Sequence, residues 1–186
     1  GQKQEMASSQ PIKQAPRGQV EPGVFDTVDE AIQAAKAAQA RFEDCTLATR
    51  EKVIADIRAA MRPRVQELAQ KTVDETGMGR VADKVLKLNL TLNKTPGVED
   101  LVTECETGDN GMTLYELSAY GVIGAITPST NPAETLICNS IGMLAAGNAI
   151  FFSVHPGAKN LSRELVSELN QVIAKSIGIE NLRSEE

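Results

Sequence analysis

Gly121-Val-Ile-Gly-Ala-Ile-Thr-Pro-Ser-Thr-Asn-Pro132 is the stretch on which the fold turns. Its first six residues form a short, continuously apolar run of the kind buried in parallel sheets, and the run meets Pro128. Pro132 suits the first position of a helix, where a missing N–H costs nothing, and Asn131 is placed to cap it. That helix is expected to reach about Ala146, where Gly147 stops it. A second apolar strand, Ala149 to Val154, then leads through His155-Pro156-Gly157 into a helix from Asn160 to Ser176. Strand, helix, strand, helix with so short a crossover implies a parallel pair, hence an α/β fold. Two parallel strands alone leave both apolar faces and both edges without partners, so the segment reads as the front of a larger α/β domain.

Upstream, Val102 to Glu106 and Met112 to Ala119 flank the turn cluster Gly108-Asp109-Asn110-Gly111, which predicts a β-hairpin with acidic, solvent-facing flanks. Before it, Leu86, Leu88, Leu90 and Leu92 alternate as in a strand, yet Val81, Val85, Leu88 and Leu92 also share a helical face, and pattern alone leaves both readings open. Gly77-Met-Gly-Arg-Val-Ala82 formally satisfies the G-x-G-x-x-A dinucleotide fingerprint. The pyrophosphate in that motif sits on free N–H groups where a strand runs into a helix, whereas these glycines follow a predicted helix and Gly77 reads as its C-cap. Two amphipathic helices open the folded part: one capped by Asp26 with Val28, Ala31, Ile32, Ala35 and Phe42 on one face, and one carrying Val53, Ile54, Ile57, Met61, Val65 and Leu68. Residues 1–23 hold Gln, Ser, Pro and Lys with almost nothing apolar and are expected to be a disordered tail or linker. The organisation is therefore a tail over 1–23, a helical segment over 24–101, a hairpin over 102–119 and the α/β portion over 120–186.

At 186 residues, with 41% hydrophobic and 24% charged residues, the composition is that of about one globular domain. A net charge of −6 argues against a nucleic-acid partner, whose phosphates demand cations. Thr135 to Val154 lacks charges over the length of a bilayer span, but Asn139, Ser140 and Asn148 interrupt it and no membrane association is expected. No secretory signal is expected either. Cys45, Cys105 and Cys138 lie far apart beside a single histidine, which excludes a metal site and a disulfide framework and fits a reducing, cytoplasmic setting.

Each cysteine is also a poor nucleophile: Cys105 lies between two glutamates, Cys138 within an apolar helix, and Cys45 beside Glu43 and Asp44. His155 ends the second parallel strand, on the edge where open α/β sheets bind ligands. Thr127-Pro-Ser-Thr-Asn131 ends the first strand on the same edge. Asn131 needs only its side-chain oxygen to cap a helix, so its NH2 would remain free to donate to an oxyanion.

Glu75-Thr-Gly-Met-Gly79, Thr95-Pro-Gly-Val-Glu-Asp-Leu101, the Gly121 to Pro132 stretch and His155-Pro-Gly-Ala-Lys159, in this order, resemble the CoA-acylating aldehyde dehydrogenases, above all the propanal and acetaldehyde dehydrogenases of bacterial microcompartments. The resemblance runs from about Val24 to Leu182. It implies that the chain carries the N-terminal helices, the hairpin and the first β-α-β-α unit of an aldehyde dehydrogenase Rossmann-like domain, with the Leu86 to Leu92 segment helical. It implies oxidation of a short aldehyde through a cysteine thiohemiacetal, hydride transfer to NAD and release of the acyl group to coenzyme A. Asn131 would be the oxyanion donor, Thr127, Pro128 and Ser129 its cofactor-binding neighbours, and His155 with Gly157 would stand where the family binds the adenosine ribose. The hairpin would serve a homo-oligomer, and shell or cargo proteins of a microcompartment would be further partners.

In that family the nucleophile and the glycine-rich nicotinamide loop come later than Glu186, so this chain alone is expected to be an inactive N-terminal part. Arg183-Ser-Glu-Glu186 does not look like the family's next strand, and the polar tail resembles only the linker after a targeting helix. The rival reading is a non-catalytic relative acting as an oligomerisation or scaffold module; a third is a phosphate-releasing semialdehyde dehydrogenase. The preferred aldehyde, NAD against NADP, and the oligomer size are not legible.

Overall fold

The computed structural model describes residues 19–185. Helix α1 spans Val28–Phe42, and its cap is Thr27 rather than Asp26: the Thr27 Oγ1 accepts from the Glu30 N–H at 3.3 Å. The second amphipathic pattern forms two helices, α2 (Leu47–Met61) and α3 (Val65–Thr76), with a 3-10 turn over Arg62–Arg64 between them. Pro63 lies in that turn and has no N–H to continue an α-helical ladder. Gly77, at φ 67°, ends α3 and donates to the Val73 carbonyl at 2.8 Å, so the G-x-G-x-x-A glycines do follow a helix. The ambiguous segment is helix α4 (Val81–Lys94), with Leu88 and Leu92 buried and Leu86 and Leu90 exposed.

The hairpin is strands β3 (Glu104–Gly108) and β4 (Gly111–Tyr115), in register from Glu104 opposite Tyr115 to Gly108 opposite Gly111. The second strand stops short of the expected Ala119, and every residue of both strands is exposed.

The α/β portion runs β5 (Val122–Ile126), α5 (Pro132–Ala145), β6 (Ala149–Ser153), α6 (Lys159–Ile177) and β7 (Arg183–Glu185). The expectation of two strands alone is overturned. The sheet has five strands in the order β1-β2-β7-β6-β5, where β1 is Gln19–Glu21 and β2 is Val24–Phe25. All pairings are parallel except β1 with β2. Two corrections follow. Arg183–Glu185, whose residue types argue against a strand, is an inner strand between β2 and β6. Gln19–Glu21, assigned to the tail, is an edge strand; the rest of the tail, residues 1–18, lies outside the described residues.

One core joins segments that the sequence divides. Phe42, Ile57, Leu88, Leu136, Ile150 and Leu169 belong to a single buried cluster, so 24–101 and 120–186 share their hydrophobic interior. Polar fasteners hold the helices in place. The Glu75 carboxylate accepts from the backbone N–H groups of Asn160 and Leu161, both at 2.8 Å, and so ties the end of α3 to the start of α6. Arg58 donates to the carbonyls of Leu92 and Thr95, meeting acceptors left over at the end of α4.

Arg64 bridges α3 to α6 through Glu67, Glu164 and Glu168, and Lys71 joins the same group. Hydrogen bonds from Arg64, then Lys71, hold the Glu67 carboxyl at about 2. Glu164 is lowered too, first by Lys71. A carboxylate whose pKa falls on folding contributes stability above its unfolded value, and that contribution disappears as pH falls through the folded one. Arg64→Met is therefore expected to flatten the loss of stability between roughly pH 4.5 and 2. Because Glu67 and Glu164 are largely solvent-exposed, the cost at pH 7 should be only about 1 kcal/mol. Urea unfolding across this pH range checks both expectations.

Candidate active site

Strands β5 and β6 end side by side. The Thr127 N–H donates to the Ser153 carbonyl at 3.0 Å, one step beyond the pairing of Ile126 with Ser153, so loop 127–131 leaves the sheet next to the turn at His155. Thr127 is buried, and its Oγ1 has no hydrogen-bond partner among the described residues. Pro128 is exposed, and the Ser129 Oγ lies 3.8 Å from the Met78 Sδ.

Asn131 sits at the start of α5, but its side chain does not cap the helix, contrary to the expectation. Only its backbone carbonyl does so, accepting from the Thr135 N–H at 3.1 Å. Its Oδ1 instead accepts from the Nζ of Lys84 at 3.2 Å and of Lys87 at 3.1 Å, both on α4. Lys84 is 3% exposed, donates also to the Thr130 carbonyl, and lies 3.8 Å from the Glu134 Oε1. The Asn131 Nδ2 takes no protein acceptor among the described residues. A cleft of about 500 Å³ opens here, lined among others by Met78, Gly79, Arg80, Lys87, Thr130 and Asn131. An amide donor beside cations in a cleft is equipped to receive an oxygen that gains negative charge.

His155 is exposed at the end of β6, where its Nδ1 accepts from the Gly157 N–H at 3.0 Å and caps the 3-10 turn Pro156–Ala158. That bond leaves Nε2 as the ring's donor. A Cβ at position 157 would come within 3.2 Å of the His155 Nδ1, so glycine there keeps the ring seated. The structure thus brings Thr127 and His155 to one sheet edge, while His155 does not line the Asn131 cleft.

Neither Lys84 nor Lys87 emerged from the sequence. The signal was available for Lys84, which stands four residues before Leu88 and eight before Leu92 on the buried face of α4. A lysine in such a stripe requires an acceptor.

None of Cys45, Cys105 and Cys138 lines the cleft; the latter two are exposed, on the hairpin and on α5. Among the described residues no cluster of potential metal ligands occurs, and no helix is long and apolar enough to cross a membrane.

The loops after β5 and β6 meet at the carboxyl edge of a largely parallel sheet, one of them bearing Asn131, and residues 1–171 match the aldehyde dehydrogenase family. The chain belongs to that family. It is 51% identical over 160 residues to the CoA-propanoylating propanal dehydrogenase of Salmonella typhimurium, covering 86% of this chain and 34% of the relative. It is 47% identical to an acetylating acetaldehyde dehydrogenase of Escherichia coli, over 87% of this chain and 34% of that protein. Among solved structures, a propionaldehyde dehydrogenase from the Clostridium phytofermentans fucose utilisation bacterial microcompartment superposes with a TM-score of 0.85 at 46% identity, covering 89% of this chain and 38% of that one. The chain therefore spans about a third of the length of these relatives.

Proposed function

We propose that this chain is the N-terminal part of an NAD-dependent, CoA-acylating aldehyde dehydrogenase that converts propanal or acetaldehyde to its acyl-CoA. The observation that carries the reading is the Asn131 carboxamide, whose oxygen is held by two ammonium groups while its NH2 takes no protein acceptor. Similarity to propanal and acetaldehyde dehydrogenases supports the substrate class.

In this reading a cysteine thiolate that is none of this chain's three attacks the aldehyde carbon, and the carbonyl oxygen becomes negative. The Asn131 NH2 donates to that oxygen, and the cations of Lys84 and Lys87 favour the charge from behind the amide. Once bound, NAD would accept hydride from the thiohemiacetal and coenzyme A would take the acyl group. The carboxyl edge of β5 and β6 fits the adenosine end of a nucleotide: His155 retains one ring donor, and Gly157 keeps the turn beside it open. Thr127, Pro128 and Ser129 would flank the cofactor from the neighbouring loop. NAD rather than NADP remains part of the proposal.

The exposed hairpin supports self-association, since Leu114, Tyr115 and Leu117 are each at least half exposed on or just beyond β4. Residence in a microcompartment lumen, among shell or cargo proteins, is supported by the origin of the similar propionaldehyde dehydrogenase.

Purified alone, the 186-residue chain is expected to form no NADH from propanal and coenzyme A, because no cysteine lines its cleft. A protein carrying this chain and extended to the length of its relatives should form NADH and acyl-CoA together. If the extended protein does neither with any short aldehyde, the enzyme reading gives way to a scaffold role for the hairpin.

A further inference from the structure

We propose that Lys84 is a positioning residue for the Asn131 carboxamide, with Lys87 as its outer partner, and that this pair decides which end of the amide is left free to donate. The inference rests on the oxyanion reading above. An asparagine amide has nearly the same shape with oxygen and nitrogen exchanged, so only its hydrogen-bond partners choose between the two orientations. An ammonium group can donate and cannot accept. With Lys84 at 3.2 Å and Lys87 at 3.1 Å, the oxygen faces α4, and the NH2 is left without a protein acceptor among the described residues. The reverse orientation would set donors against two cations and present an oxygen to a developing anion.

Lys84 has no general packing reason to be where it is. It is 3% exposed in a stripe otherwise filled by Leu88 and Leu92, and burying an ammonium is costly unless it is paired. Its partners all belong to the Asn131 loop and the first turn of α5: the Thr130 carbonyl, the Asn131 Oδ1 and the Glu134 carboxylate at 3.8 Å. Glu134 is itself buried, and among the described residues neither of its oxygens has a hydrogen-bond partner and its one ion pair is with Lys84. The cation also draws charge through the amide and makes its N–H groups better donors.

A double-mutant cycle on the extended enzyme tests this. Lys84→Met is expected to lower kcat by roughly 10- to 30-fold with the aldehyde KM changed less than about threefold, because an interaction used in the transition state affects turnover more than ground-state binding. In an Asn131→Ala background the same change should cost less than about twofold, since nothing remains to orient. Lys87→Met, on the exposed side of α4, should cost about threefold and be masked in the same way. It carries the test if Lys84→Met fails to fold by circular dichroism. Equal losses with and without Asn131, or no loss in the Asn131 enzyme, overturn the proposal. If Asn131→Ala itself keeps near wild-type kcat, the oxyanion reading falls and this one with it; if only the lysine changes are silent, the oxyanion reading stands.

Discussion

Asn131→Asp is expected to fold at least as stably as the wild type and to lose about 10²- to 10³-fold in kcat, the usual cost of removing one oxyanion donor. Asn131 is not a side-chain cap, so the relevant question is what a carboxylate would do beside Lys84 and Lys87. It would accept from both ammonium groups and add charge pairing to a site that already holds a buried lysine. The same carboxylate has no N–H to offer and repels a developing oxyanion, so stability and turnover should move apart. Asn131→Ala should lose a similar factor in kcat but also destabilise by about 1–3 kcal/mol, because it removes one of the acceptors of the buried Lys84. Steady-state kinetics with propanal or acetaldehyde, together with urea unfolding, separate the two. An Asp variant with near wild-type kcat would show that the amide takes no part in the chemistry.

How far the site could be read from sequence follows from where its contacts lie along the chain. The strand–helix–strand–helix run from Val122 to Ile177 was legible because every element carries its own signal: apolar runs, Pro132 at the helix start, Gly147 after its end. The Asn131 loop was legible for the same reason. Its partners were not, since Lys84 and Lys87 lie 47 and 44 residues away and meet it only when α4 packs on α5. The split between α2 and α3 passed unread because the apolar spacing continues across Pro63, although the proline itself was the warning. The α4 segment shows the limit of periodicity: the alternating leucines 86 to 92 fit a strand while Val81, Val85, Leu88 and Leu92 fit a helical face, and tertiary burial of Leu88 and Leu92 decides.

Strand β7 is the sharpest disagreement between residue type and position, and it leads to the second large effect. Arg183, Ser184 and Glu185 are each fully buried between β2 and β6, where an inner parallel strand normally carries Val, Ile or Leu. Backbone hydrogen bonding holds the strand there despite its side chains. Asn170 on α6 accepts from the Arg183 N–H at 3.2 Å and donates to the Arg183 carbonyl, and Ile150 donates to the Leu182 carbonyl at 3.0 Å. Among the described residues the Arg183 guanidinium reaches only carbonyls, those of Ser140 at 2.8 Å and Leu182 at 2.6 Å, and burial pushes it down to about 9. A cation buried without an anion among the described residues is a cost that an apolar side chain removes, so Arg183→Leu is expected to stabilise the chain by about 1–4 kcal/mol. Glu185 supplies a test with a pH signature. Burial raises its carboxyl to about 7, the main opposing influence being Arg163, whose Nε lies 3.7 Å away. Below the unfolded value near 4.3 both states are protonated and the residue contributes nothing. As pH rises from there to the folded value the unfolded chain ionises first, so stability falls across that window by an amount on the order of 3 kcal/mol and then levels off. Glu185→Gln should therefore match the wild type at pH 4 and exceed it by about 2–3 kcal/mol at pH 8, as read from urea midpoints at the two pH values. A gain of equal size at both would mean that packing, and not the buried charge, sets the cost of this strand.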